Sequence, residues 1–131
     1  SHGDYSVQQL IYKDNGETTV IDFETAKKLP IIWEVMRSYS YIDGKAKNGE
    51  LHIDTLEEYV KKFENYVPLN EYDLKYAAQL YLIQIVSSTF GYKQYNDNYA
   101  KTELLEFALF RTNLCRYLYN NLEKISARLQ E

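Results

Sequence analysis

The sequence predicts an α+β fold that is mostly α-helical, with one β-hairpin followed by about four helices. Hydrophobic residues alternate with a period of two near the start of the chain, and they recur every 3.6 residues from residue 31 onward. The 131 residues, 45% of them hydrophobic, suffice for a single globular domain. We expect one domain over 1–131, with a loop and hairpin over 1–26 and a helical subdomain over 27–131.

The hairpin is predicted from two β-rich runs, residues 10–13 and 18–21, which flank an Asn-Gly dipeptide. This dipeptide is a strong signal for a two-residue turn. In a hairpin with such a turn, the numbers of opposed residues add to 31, so Gln9 should lie directly opposite Asp22. Directly opposed side chains share one face of the sheet, with Cβ atoms about 5 Å apart.

The limits of the helices are predicted from capping and breaking residues. Pro30 suits the first turn of a helix, Asp54 with Glu57 resembles a capping box, Asn70 is a good N-cap, and Gly91 is a helix terminator. The resulting helices cover about 31–41, 54–66, 71–90 and 98–129, and the last of them is either continuous or broken once.

Apolar side chains at helical spacing form one stripe in each predicted helix, and these stripes should build the core. Most of the 14 tyrosines interleave with these stripes, so we interpret them as core edges rather than a ligand surface. We expect Trp33 to pack in the core rather than to cover a substrate site. The predicted core residues are Ile32, Val35, Met36, Tyr39, Leu56, Tyr59, Val60, Phe63, Leu74, Ala77, Ala78, Tyr81, Leu82, Ile85, Leu104, Phe107, Ala108, Phe110, Leu114, Leu118, Leu122 and Ile125.

Composition disfavours several classes of partner. The formal charge of −4, with dispersed Lys and Arg, disfavours nucleic acid and anionic membrane surfaces, which bind clustered positive charge. The most apolar stretch, 77–86, is too short to span a bilayer. The lone Cys115 cannot form an internal disulfide, which favours the reducing cytoplasm, and we interpret it as a small core residue.

Asp4, Gln9 and Asp22 are the candidate site residues. If the hairpin register is as predicted, two oxygen ligands converge at Gln9 and Asp22, five residues beyond Asp4. Mg²⁺ is small and prefers oxygen ligands, so the arrangement suits it. In the alternative reading the three residues are unrelated: Asp4 caps a turn, Asp22 ends an edge strand and Gln9 is an exposed polar residue.

The segment 2–24 resembles the aminoglycoside phosphotransferase and choline kinase-like family of small-molecule kinases, which have a protein-kinase-like fold. The resemblance rests on His2-Gly3-Asp4 and on Asp22-Phe23-Glu24. It implies that Asp4 is the catalytic base, that Asp22 binds Mg²⁺, and that Gln9 stands where the family usually has Asn as a second metal ligand. ATP and Mg²⁺ would be the cofactors, and a small-molecule hydroxyl the acceptor.

The same resemblance implies a glycine-rich loop and a strand lysine that hold the phosphates. The five glycines form neither G-x-G-x-x-G nor a Walker A pattern. We therefore expect this chain to be the C-terminal lobe of a larger kinase-like protein, without its N-terminal lobe and inactive alone. The surface left on the hairpin should bind the N-terminal lobe or a second copy of the chain, through an apolar face that includes Leu10, Tyr12, Val20 and Phe23.

Two other functions stay open. The chain could be a non-catalytic helical binding or assembly module in which the kinase motif is vestigial, or a metal-dependent hydrolase, although hydrolases usually need more converging ligands. Acidic residues could line a pocket for a cationic substrate, but solvated helix faces also carry such charges. The weak candidates for substrate binding are Glu34 and Asp43, and the further acidic residues considered are Glu71, Asp73, Glu103 and Glu106.

Overall fold

The computed structural model describes residues 1–131, except for the side chain of Lys47. The predicted class, α+β and mostly α, is confirmed. Two 3₁₀ turns, at Val7–Gln9 and Ala46–Asn48, accompany a two-stranded antiparallel sheet and six α-helices over the described residues. The strands are β1 (Leu10–Tyr12) and β2 (Thr18–Val20), and the helices are α1 (Ile31–Ile42), α2 (Ile53–Glu64), α3 (Glu71–Val86), α4 (Tyr92–Asp97), α5 (Thr102–Asn120) and α6 (Leu122–Leu129).

The hairpin forms where it was predicted, but the predicted register is wrong. Leu10 pairs with Val20 and Tyr12 with Thr18, so the numbers of opposed residues add to 30 rather than 31. The loop has three residues because Gly16 adopts a left-handed conformation (φ 83°) and its N–H donates to the Lys13 carbonyl at 2.9 Å. A turn followed by a left-handed glycine is the usual three-residue hairpin loop.

Two of the four predicted helix starts are correct. The first helix follows Pro30, and Asn70 caps α3 in a capping box with Asp73. The second helix begins earlier than predicted, because His52 is its N-cap and Asp54 lies in the first turn. Asp54 therefore does not form the predicted capping box. The last predicted helix, from about Asn98, begins instead at Thr102.

The C-terminal half contains one helix more than the spacing of its apolar residues predicts. Helix α3 ends at Val86 instead of Phe90, because a run of hydroxyl residues follows and such side chains compete for backbone hydrogen bonds. The short α4 was not predicted. The last predicted helix is broken once, at Asn121, whose side-chain amide donates to the Tyr117 carbonyl at 2.8 Å.

The core lies between the helices, with α3 at its centre, where it packs against α1, α5 and α6. Most of the predicted core residues are buried and, apart from Ala108, the buried ones belong to one apolar cluster that includes Trp33. The others are only partly buried: Tyr59, Phe63, Leu74, Leu82, Leu104, Phe107, Phe110 and Leu122. No helix of the described residues is long and apolar enough to cross a membrane. The helical body is thus a support on which the N-terminal loop and hairpin sit.

Candidate functional site

The loop that carries Asp4 is bent by a glycine that no other residue can replace without a shift. Gly3 has a φ of 88°, a backbone conformation that side chains disfavour. A Cβ at Gly3 would lie 2.4 Å from the Thr25 carbonyl oxygen. The segment after the hairpin therefore packs directly on the loop, and Thr25 Oγ1 also donates to the His2 carbonyl at 3.2 Å.

A buried carboxylate on α1 holds the loop on both sides of Asp4. The Oε2 atom of Glu34 accepts the Gly3 N–H at 2.7 Å, and its Oε1 atom accepts the Tyr5 N–H at 3.2 Å. Charge-assisted bonds of this kind are among the stronger hydrogen bonds in proteins. Glu34, a weak candidate for substrate binding, thus has both oxygens occupied by the backbone of the loop.

Arg37, one turn after Glu34 on α1, contacts Asp4 itself. Its Nη2 atom pairs with Oδ1 of Asp4, and its Nη1 atom donates to the Tyr5 carbonyl at 3.1 Å. The guanidinium carbon also lies 4.7 Å from the centroid of the Tyr41 ring. Arg37 is not among the site residues predicted from the sequence. Its spacing of three residues from Glu34 places both on one side of α1, and this is the signal that could have found it.

Gln9 and Asp22 are not opposed, because the register differs by one residue from the predicted one. Gln9 lies opposite Ile21, whose N–H donates to the Gln9 carbonyl at 3.0 Å. The side-chain oxygen of Gln9 accepts a hydrogen bond from the Ser6 hydroxyl. The hairpin therefore lends no support to a shared metal site, and the assignment of this pair as metal ligands rests on the family resemblance.

Asp22 occupies an unusual backbone conformation. It is exposed and has a φ of 65°, and among the described residues it is the only one other than glycine with a positive φ. Such conformations are costly and cluster at functional sites. The neighbouring Ile21 carbonyl lies 2.8 Å from His2 Nε2, so this contact links the end of the hairpin next to Asp22 to the loop that carries Asp4.

Asp4 lies at the boundary between two cavities. The loop-side cavity, of about 440 Å³, is lined by Asp4 together with the 3₁₀ turn that ends at Gln9. The inner cavity, of about 210 Å³, extends from Asp4 toward α3 and α5. Arg37, Tyr41 and Phe107 line both. The carboxylate of Asp4 is therefore accessible from two sides, and 44% of its side chain is exposed.

Asp43, the other weak candidate for substrate binding, is occupied by its neighbours. Its Oδ1 atom lies 2.9 Å from His52 Nδ1 and accepts the Lys45 N–H, and its Oδ2 atom accepts the His52 N–H at 2.8 Å. Burial opposes ionisation, but the bonds from His52 and Lys45 outweigh it and hold the pKa of Asp43 below its ordinary value. This carboxylate serves the local fold at the start of α2.

The remaining titratable groups near the core favour structural roles. Burial raises the pKa of Cys115, which makes its thiol a poorer nucleophile. Burial also raises the pKa of Tyr81, whose hydroxyl lies 2.7 Å from Ser40 Oγ. Two of the acidic residues considered above, Glu103 and Glu106, line a third cavity with Asp43 on the far side of Phe107.

The residues present fit a Mg²⁺ ion that takes most of its ligands from phosphates and water, not one held by protein side chains alone. Among the described side chains, no three His, Cys, Asp or Glu residues come together as a metal site. Mg²⁺ in phosphoryl-transfer sites usually needs one or two protein carboxylates, with waters and phosphates as the other ligands. Exposed Asp22 can serve as such a carboxylate. Comparison of the chain with protein-family models, curated proteins and solved structures finds no match.

Proposed function

We propose that this chain is the C-terminal lobe of an ATP-dependent small-molecule phosphotransferase with a protein-kinase-like fold. The complete enzyme would transfer the γ-phosphoryl group of ATP to a hydroxyl of a small molecule. The observation that carries the proposal is the His2-Gly3-Asp4 loop. Its glycine is needed for close packing, its backbone is bracketed by Glu34, and its carboxylate lines two cavities.

Asp4 is the proposed general base. Arg37 occupies one carboxylate oxygen of Asp4 and leaves the other for the acceptor hydroxyl. As the new oxygen–phosphorus bond forms and the bond to the β-phosphate oxygen breaks, Asp4 takes the hydroxyl proton. Arg37 and Glu34 are the proposed positioning residues, since they hold the side chain and the backbone of this loop.

Asp22 and Gln9 are the proposed ligands of Mg²⁺, which would neutralise charge on the phosphates. The exposed carboxylate of Asp22 and its positive φ support this role. Gln9 lines the same cavity as Asp4, which supports a role near the base. The Ser6 hydroxyl would have to release that oxygen on metal binding.

The phosphate-covering loop would come from another segment, since the glycines of this chain do not form one. The proposed docking surface is the hairpin. Of its predicted apolar face, Tyr12 and Phe23 are exposed, while Leu10 and Val20 are partly buried. We propose that an N-terminal lobe, or a second copy of the chain, covers this surface.

The test uses Mn²⁺, a paramagnetic substitute for Mg²⁺, with ADP as the nucleotide probe. Resonances next to Asp22 and Gln9 should broaden in NMR spectra of the full chain. The effect should vanish in Asp22→Asn and persist in Asp14→Asn, a matched change at the tip of the hairpin. Broadening centred on another acidic residue would contradict the assignment and favour the non-catalytic binding or assembly module.

The second arm is a kinase assay on the purified chain. We expect no ATP turnover, because a nucleotide needs its phosphates held from both sides to reach an in-line geometry. Turnover that purifies with the chain and disappears in Asp4→Asn would show that no second segment is required. In that case the phosphotransferase assignment would stand and the need for another lobe would be wrong.

A further inference from the structure

The inner cavity beside Asp4 has an unusual balance of charge. It lies between α1, α3 and α5, is partly open to solvent and has a volume of about 210 Å³. Three charged side chains line it: Asp4, Arg37 and Arg111. Arg37 is neutralised by its pair with Asp4. The positive charge of Arg111 is therefore not balanced by a negative charge in the lining of this cavity.

Arg111 is held in place without a counter-ion. Its Nη1 atom donates to the Ser88 hydroxyl at 2.9 Å, and its guanidinium carbon lies 5.6 Å from the centroid of the Phe107 ring. Among the described side chains, no carboxylate lies within ion-pair distance of it. The Nη2 atom of Arg111 also donates to the Ile85 carbonyl at 3.4 Å, so the guanidinium has neutral partners but no counter-charge. A ligand with anionic oxygens would supply that charge through stronger, charge-assisted hydrogen bonds.

The rest of the wall suits a small organic molecule. Phe90 and Phe107 supply apolar surface, and the indole of Trp33 lines the cavity. The Nε1–H of Trp33 is buried and has no hydrogen-bond partner among the described residues. Pockets for small molecules commonly combine apolar walls with a few polar groups.

We propose that the inner cavity binds a small hydroxylated anion, with Arg111 pairing its carboxylate or phosphate group and Asp4 facing its hydroxyl. This names the acceptor class of the proposed phosphotransferase, and the role of Asp4 rests on that function. A cationic acceptor is disfavoured here. The acidic residues Asp43, Glu103 and Glu106 line a different cavity, and the Asp43 carboxylate is already hydrogen-bonded to His52.

Trp33 is the single tryptophan of the chain, so its fluorescence reports on this cavity. The full chain is titrated with glycerate, glycerol 3-phosphate, glycerol and ethanolamine. We expect a saturable change with one or both anions and none with the neutral or cationic probe. The relative affinities of glycerate and glycerol 3-phosphate distinguish a carboxylate from a phosphate ligand.

Variants of Arg111 test the assignment of the anion-binding group. Arg111→Gln should weaken anion binding about tenfold or more, and Arg111→Lys should restore part of it. Arg116→Gln, an exposed change on the same helix, should bind like the unmodified chain. Thermal unfolding and the unliganded fluorescence spectrum show whether each variant is folded.

The proposal is overturned if ethanolamine or glycerol binds as tightly as the anions, if no probe changes the fluorescence, or if Arg111→Gln leaves anion binding intact. The titration uses neither nucleotide nor metal, so its failure is separate from failure of the Mn²⁺ experiment. If the anions bind but no metal binds at Asp22, the proposal of an anion-binding cavity stands and the phosphotransferase proposal is refuted. If metal binds at Asp22 but the anions do not bind, the phosphotransferase proposal stands and the proposed acceptor class is refuted.

Discussion

The first 31 residues and the helical body are stabilised in different ways. None of residues 1–31 is buried, all of them being described by the structure, whereas the body from Ile32 to Leu129 contains every buried residue that the structure describes. The loop and hairpin are instead attached by polar contacts to one helix, α1, through Glu34 and Arg37. A candidate site built in this way can open without disturbing the core.

The energetic consequence is that the two regions should have separate stabilities. A fully buried aliphatic side chain typically contributes a few kcal/mol, while hydrogen bonds to a charged group contribute about 1.5–3 kcal/mol. Regions with few buried apolar contacts open at lower free energy than the global unfolding reaction. We therefore expect amide exchange near Asp4 to be faster than in α3 or α5.

The largest effect is expected from the core. Leu118→Ala removes a fully buried side chain from α5 and should lower the global free energy of unfolding by about 2–5 kcal/mol, measured by urea denaturation. Leu109→Ala, on the same helix but 47% exposed, should change it by less than about 0.5 kcal/mol. Equal effects of the two variants would contradict the described packing of α5.

The next effect should be confined to the loop. Glu34→Gln replaces one acceptor oxygen by an amide that cannot accept, so the Gly3 or Tyr5 N–H loses its partner. We expect a local loss of about 1.5–3 kcal/mol, seen as faster exchange of these two amides. Exchange in α3 should stay unchanged, and exposed Glu58→Gln is the control. Equal acceleration throughout the molecule would show that loop and body unfold together.

A smaller effect should separate two glycines with similar backbone angles. Gly3→Ala and Gly16→Ala both force alanine into a positive φ, which costs about 1–2 kcal/mol. Only at Gly3 does the new Cβ meet the Thr25 carbonyl, whereas at Gly16 nothing lies within 4 Å. Gly3→Ala should therefore cost about 1 kcal/mol more, measured by exchange of the loop and hairpin amides. Identical costs would mean that residues 3 and 25 are not in contact.

The smallest effect is expected from a change in pH. It concerns Asp43, which lies in the helical body and not in the loop or hairpin. Because the folded pKa of Asp43 lies below its ordinary value, the carboxylate stabilises the fold above the ordinary aspartate pKa. This contribution is lost as the pH falls through the lowered value. Asp43→Asn should thus be less stable than the unmodified chain at neutral pH, and the difference should shrink in acid. The exposed change Asp97→Asn is the control. If the stability difference between Asp43→Asn and the unmodified chain grows in acid, the predicted direction of the pH effect is wrong.

Much of the body follows from the sequence because helical signals are local. Apolar residues every 3.6 positions locate α1, α3 and α5, and Asn70 with Asp73 caps α3 through contacts within one turn. The two β-rich runs, residues 10–13 and 18–21, with the Asn-Gly dipeptide between them, likewise predict that a hairpin forms.

Other features follow only from the tertiary structure. They depend on a shift of one residue in strand register, or on contacts between residues far apart in the sequence. Whether the hairpin loop has two or three residues depends on the conformation of Gly16, and this separates Gln9 from Asp22. The pair of Asp4 with Arg37 joins residues 33 positions apart. Helical spacing places Arg37 on the same side of α1 as Glu34, but only the tertiary structure shows that this side meets the loop. The cavity that joins Asp4 to Arg111 exists only because α1, α3 and α5 pack together.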